Sequence, residues 1–180
     1  MNSRTIRFFL TSLGILLLPA LAVAQEPPQL TDPEIAHVAV TANAIDVEIA
    51  QLAPSRAEHA DVLAFARTMV SDHTAVNERA GALAARLGVT PEDNDVSRSL
   101  ESGAGTAREA LVELDGAAFD RAYIEREVAY HQAVLEALDG VLIPQADNAD
   151  LKALLEEVRP AIAAHLEHAR RISETLAGGR

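Results

Sequence analysis

Three histidines, His73, His131 and His165, each interrupt an apolar stripe on a different long helical segment. The stripes run Val62, Ala66, Met69, His73, Val76, Ala80, Leu83, Leu87; then Ile124, Val128, His131, Leu135, Leu138, Leu142; then Leu151, Leu155, Val158, Ile162, His165, Ala169, Ile172, Leu176. Spacings of three and four put each set on one helix face. An imidazole on such a face needs partners, because an unsatisfied polar group is costly in an apolar interior. Each histidine sits near the middle of its helix, so an antiparallel bundle brings the three to similar depth. Glu48, one turn after Ile45 and one before Leu52, flanks the first helix's stripe. Glu48, His73, His131 and His165 therefore offer three imidazoles and a carboxylate, a donor set for one transition-metal ion: zinc, copper or iron. The competing reading is a buried, hydrogen-bonded histidine cluster without metal.

Three further residues form a second tier. Glu127, four residues before His131, is a ligand or the outer carboxylate that fixes an imidazole tautomer. His168 follows His165 by three, and Met69, four before His73, is core or a thioether ligand that would favour copper. Tyr123, Tyr130 and Asp72 read as packing or capping contacts. Glu34-x-x-His37 matches a di-metal spacing, but His37 lies about 16 Å along the helix from Glu48 and reads as coincidence. The positions three before the seam histidines are Val70, Val128 and Ile162, which argues against a carboxylate-bridged di-iron centre. No GxSxG, HExxH or GxxxxGK[ST] pattern occurs, so no catalytic apparatus is expected.

These residues need four long helices to position them. Thr31-Asp32-Pro33-Glu34 starts the first, and Pro54 ends or kinks it between Ala53 and Ala57. The second spans about Ala60 to Leu87, stopped by Gly88. A turn-rich loop, Val89 to Asp95, leads to a weaker helical stretch from Val96 to Leu114, interrupted at Ser102-Gly103-Ala104-Gly105. Asp115-Gly116 closes this connection, and a third long helix starts near Ala117. Pro144 to Asn148 forms a turn, and a fourth helix runs from about Ala149 to Leu176, kinked at Pro160 and ended by Gly178-Gly179. No period-two strand pattern is present. The expected fold is all-α, a ferritin-like four-helix bundle with one long crossover connection containing a short extra helix.

The N-terminus addresses the compartment. Arg4 and Arg7, the apolar run Phe8 to Leu18 and the small residues Ala22-Val23-Ala24 have the order of a secretory signal peptide. The expected organisation is a signal peptide over 1–24, a disordered lead over 25–31 and the bundle over 32–177, exported to the periplasm, free there or associated with the envelope. No transmembrane segment is expected in the mature chain, and its protein partner is unassigned. With 27 acidic against 15 basic residues the net charge is −12. Losing Arg4 and Arg7 makes the mature chain more acidic still, which excludes the basic face that nucleic acid requires. The chain has no cysteine, so disulfides, thiolate metal sites and a lipidated cysteine are excluded.

Taken in order, Asn43-x-x-Asp46-Val47-Glu48-Ile49, Phe65-Ala66-x-x-Met69-Val70-x-Asp72-His73, Phe119-Asp120-x-x-Tyr123-Ile124 leading to His131, and Pro160 leading to His165-Leu166 resemble a bacterial family, domain of unknown function 4142. Members are often labelled predicted outer membrane protein and regarded as ferritin-like. The resemblance runs from about Asp32 to Ile172. It implies the bundle fold and export, and its pattern lands on Glu48, His73, His131 and His165; Pro54 departs from it. Two functions remain in view. One is a periplasmic metal-binding bundle acting in metal handling or oxidative-stress protection. The other is a non-enzymatic envelope interaction or stress-related module whose histidines are structural.

Overall fold

Glu34 folds back on the start of the first helix, where its carboxylate accepts from the Thr31 backbone N–H at 2.8 Å and the Thr31 hydroxyl at 2.9 Å. A helix leaves such groups unpaired at its N-terminus, so Glu34 is engaged as a cap. The computed structural model describes residues 28–178. The expected signal peptide and residues 25–27 of the expected disordered lead lie outside the described residues. The rest of that lead is held in place. The Leu30 N–H donates to the Gln145 side chain at 2.8 Å, and the Gln145 amide donates to the Pro28 carbonyl at 3.0 Å. Leu30 also packs on the core, as an apolar residue just before an N-cap can do.

The first helix, α1, spans Asp32–Ala50, and a single turn, α2 (Ala53–Arg56), follows with Pro54 in its first turn, where proline costs no internal hydrogen bond. Helix α3 (Ala60–Leu87) ends at Gly88, whose φ of 65° is the left-handed conformation that glycine adopts without a Cβ penalty. Helix α4 (Asp95–Val112) is capped by the Asn94 side chain, which accepts from Val96 and Ser97 N–H at 3.0 Å each. It runs unbroken through Gly103 and Gly105, where an interruption was expected. Each glycine costs roughly 1 kcal/mol there, but Leu100, Ala104 and Leu111 pack into the core and hold the helix on the bundle. The extra helix of the crossover thus has 18 residues rather than being short.

Helix α5 (Gly116–Ala137) passes through a π-helical segment, Leu138–Leu142, into α6 (Ile143–Gln145). The expected turn from Pro144 to Asn148 therefore narrows to the residues after Gln145. Helix α7 (Ala149–Gly178) carries Pro160 inside it. Its start is fastened twice: Asn148 Oδ1 accepts from Asp150 and Leu151 N–H, and the Asp32 carboxylate of α1 accepts from Asp147 and Asn148 N–H. Helices α1 and α3 form one hairpin pair and α5 and α7 the other, with α4 laid across α1. The described residues are all-helical, and none of their helices is long and apolar enough to cross a membrane.

The apolar core is divided in two. One cluster gathers Phe65, Met69, Phe119, Tyr123, Ile124 and Ile172, with the Phe119 and Tyr123 rings stacked at 5.6 Å. The other gathers Ile35, Val38, Leu138, Leu142, Leu155 and Ile162. Burying side chains of this size contributes about 1.5–3 kcal/mol apiece, which stabilises the bundle on both sides of what lies between them. Between them is a polar layer.

Candidate metal centre

His73, His131 and His165 project into that layer from α3, α5 and α7, with only 4%, 1% and 7% of their surfaces exposed. Their ring centroids form a near-equilateral triangle, 5.7 Å from His73 to His131, 5.3 Å from His73 to His165 and 5.5 Å from His131 to His165. One ring nitrogen from each lies within 4.8 Å of the other two. All three seam histidines predicted from the stripes are therefore brought together.

The fourth predicted ligand is not. Glu48 points outward, with 60% of its side chain exposed, and pairs with Arg108 of α4 at 3.0 Å. The carboxylate that α1 delivers is Asp46, fully buried. Helix geometry explains the error. With Ile45 and Ile49 as the centre of the stripe, Asp46 and Glu48 lie about 80° to either side at roughly 100° per residue. Periodicity alone cannot choose between the two flanks; the packing of α3 and α5 on one side and α4 on the other does.

Outer hydrogen bonds fix the tautomers. Asn43 donates its amide to the Ala39 carbonyl at 2.8 Å, which turns its Oδ1 to His73 Nδ1 at 2.6 Å. His73 thus carries its proton on Nδ1. His131 Nδ1 donates to the Glu127 backbone carbonyl at 3.0 Å, and His165 Nε2 donates to Asp72 at 3.0 Å. Each ring then presents its other nitrogen bare, and His73 Nε2, His131 Nε2 and His165 Nδ1 are buried without a hydrogen-bond partner among the described residues. Asp46 Oδ2 is in the same state. It lies 2.7 Å from His73 Nε2 and 3.5 Å from His131 Nε2. The 2.7 Å approach lacks hydrogen-bond geometry, and with the His73 proton on Nδ1 it sets two lone pairs against each other. A cation or proton between them resolves the conflict. An imidazole held from behind with its free nitrogen forward is the arrangement of metal-bound histidine.

Arg126 organises the carboxylates. Its guanidinium, 14% exposed, donates to Asp46 Oδ1 at 3.1 Å and to Glu127 Oε1, while its charge lies 4.0 Å over the Tyr130 ring. Tyr130 in turn donates to the Ala42 carbonyl at 2.9 Å. Burial would raise the Asp46 carboxyl, but the His73 contact and the Arg126 charge outweigh it and hold it well below the usual carboxylate range. Glu127 goes the other way, raised by complete burial and by the Asp46 charge. Burial lowers His131 to about 4 and also lowers His165, keeping both rings neutral near pH 7.

The second-tier residues divide. Glu127 belongs to the centre: its backbone carbonyl sets the His131 tautomer, and its Oε2 stands 3.5 Å from the same nitrogen. Met69 is fully buried in the apolar cluster. The His168 ring packs edge-on against Phe65 at 5.3 Å, in the layer beyond the triangle. Asp72, read as a capping or packing residue, instead orients His165. His37 meets Thr41 at 3.4 Å, apart from the centre. Sequence reasoning missed Asp46, Asn43 and Arg126. The Asn43-x-x-Asp46 spacing, one turn on one flank, was the available signal for two of them; a charged Arg126 beside Glu127 gave none.

No curated protein matches the chain. The solved structure of CopM in the Cu(II)-bound form is similar to it, with a TM-score of 0.62 at 14% identity, covering 82% of this chain and 99% of that one. That likeness is one of fold. The family match spans residues 18–172, taking in all four helices that meet at the histidine triangle, and the chain belongs to the family described as domain of unknown function (DUF4142).

Proposed function

We propose that this protein is an exported, non-catalytic carrier of one transition-metal ion, held by His73, His131, His165 and Asp46. The observation that supports it is the set of four buried, unpartnered donor atoms: three bare imidazole nitrogens and Asp46 Oδ2. Neighbouring ligands about 2.0–2.1 Å from a metal stand roughly 2.9 Å apart in square-planar copper(II) and roughly 3.3 Å apart in tetrahedral zinc. The 3.5 Å from Asp46 Oδ2 to His131 Nε2 already fits, and the 2.7 Å to His73 Nε2 needs a small opening.

Copper is the first choice of ion. Three imidazoles and one carboxylate suit copper(II) and zinc alike, and the similar CopM fold was solved with Cu(II) bound. The order of basic, apolar and small residues over 1–24 supports export. The Arg126 guanidinium takes Asp46 Oδ1 and Glu127 Oε1, which leaves Asp46 Oδ2 to the ion.

Metal content by mass spectrometry tests the reading, on mature protein exported natively and purified without a nickel column, beside a His73→Ala/His131→Ala variant. One ion per chain, lost in a variant that remains helical, is the expected result. For copper(II), electron paramagnetic resonance should show coupling to nitrogen. A wild type that takes up none of copper, zinc or iron refutes the carrier and leaves the structural histidine cluster. N-terminal sequencing of the periplasmic protein should begin at Gln25.

A further inference from the structure

A cleft of about 360 Å³ runs from the histidine layer toward the start of α7, between α1, α3, α5 and α7. Its walls are apolar almost throughout, with Val76, Leu83, Leu87, Leu142, Leu154 and Val158 among them. The buried residues of α3 are Val62, Phe65, Ala66, Met69 and His73, all in its first half. Beyond His73 its apolar stripe faces the cleft and is half-buried at Val76, Leu83 and Leu87. From His73 to Leu87 the cleft is about 21 Å long at 1.5 Å per residue.

The cleft is polar at both ends: Asp32 and Asn148 line the end at the start of α7, where they bond each other, and an unpartnered group marks the other. Asn77 reaches into it beside His73, Asn43 and Tyr130. The Asn77 amide donates to the Val40 carbonyl at 3.4 Å, and its Oδ1 is buried without a partner among the described residues. That oxygen calls for a hydrogen-bond donor. Over the cleft, α3 and α7 are joined by exposed ion pairs, Arg79–Glu157 and Arg86–Asp150 at 2.9 Å. Exposed pairs hold weakly and are screened by salt, so they form a strap that parts easily.

We propose that this cleft binds a single-chain amphiphile, an unbranched alkyl chain with a hydroxyl head, lying along α3 with its hydroxyl donating to Asn77 Oδ1. A long apolar groove with an unpartnered polar atom at its inner end is the form of a ligand site. An apolar cavity of ~150 Å³ already suffices for benzene. The acidic chain, at −12, disfavours the alternative of adsorbing to an anionic bilayer. The cleft adjoins the metal centre at His73 and His131, but Asn77 and the apolar walls that would hold the chain are not among the four donors.

Calorimetric titration of the mature protein with decan-1-ol below its solubility limit is the test. Saturable one-to-one binding is expected, weakened at least tenfold in Ala84→Trp and in Leu154→Trp, each of which fills the cleft. Circular dichroism and metal content should stay unchanged in these variants, because Ala84 lies about 16 Å along α3 from His73. His165→Ala, which removes a metal donor outside the cleft lining, should still bind the amphiphile, which separates this site from the metal centre. Absence of saturable binding overturns the proposal, as does binding untouched by both tryptophans. Capture only on phosphatidylethanolamine–phosphatidylglycerol vesicles overturns it too, because it would mean adsorption.

Discussion

Asp46→Asn and Glu48→Gln differ by two positions on α1 and should differ by orders of magnitude in effect. Asp46 supplies an unpartnered oxygen between two imidazoles. Altering a residue that merely orients a ligand costs 10–100-fold in affinity; replacing a ligand itself should cost at least about 100-fold, or roughly 2.7 kcal/mol. The metal-free fold also suffers. Removing one partner of a buried ion pair costs about 3–5 kcal/mol, and Arg126 would lose one of its two carboxylates. The loss should fall near the lower end, about 3 kcal/mol, because Glu127 remains and is released from the charge that suppresses its ionisation. Glu48→Gln removes one half of a surface pair 60% exposed, worth under about 1 kcal/mol, and leaves affinity unchanged. Competition against a chromophoric chelator gives the affinities, and urea unfolding of metal-free protein gives the stabilities. Affinity in Asp46→Asn within a few-fold of wild type, or a loss in Glu48→Gln that matches it, would refute the assignment of Asp46.

Acid should weaken the metal-free protein through its histidines. The folded value of His131, about 4, lies below the ordinary 6.5, so the unfolded chain binds the proton first. The stabilisation is complete above pH 6.5 and is lost as pH falls toward 4, by up to about 3 kcal/mol; urea midpoints across that window read it, and a flat profile contradicts it. Gly103→Ala and Gly105→Ala replace exposed helical glycines with nothing within 4 Å of the added methyl. Each should stabilise by about 0.5–1 kcal/mol in thermal unfolding without changing metal affinity. Gly88→Ala, at φ 65°, should instead destabilise by about 1 kcal/mol or more in the same assay.

The stripes carried the fold because hydrophobic spacing reports burial, and they identified three histidines that the structure gathers. Their resolution ended where two residues flank one stripe equally, as Asp46 and Glu48 do. The sequence also undervalued α4: Gly103 and Gly105 lower intrinsic helix propensity, but packing of Leu100 and Leu111 decides the outcome. The π-helical segment at Leu138–Leu142 left no trace in the pattern, since Leu138 and Leu142 keep the spacing of an ordinary helix. Arg126 was invisible for a different reason. A charged side chain is read as solvated unless its two buried acids are already known to converge on it.

The three imidazoles are not anchored alike. His73 is held by Asn43, half-buried at the wall of the cleft, and His131 by its own helix backbone, whereas His165 leans on Asp72, a carboxylate with 48% of its side chain exposed to water. Water can replace Asp72 as the partner of His165 at little cost, whereas the carbonyl that holds His131 is part of α5 itself and cannot be exchanged without breaking the helix. The centre therefore has a hinged side at α7 and a fixed side at α5. In a carrier of this design, retention is governed at α5, while the rate of hand-over is governed at α7.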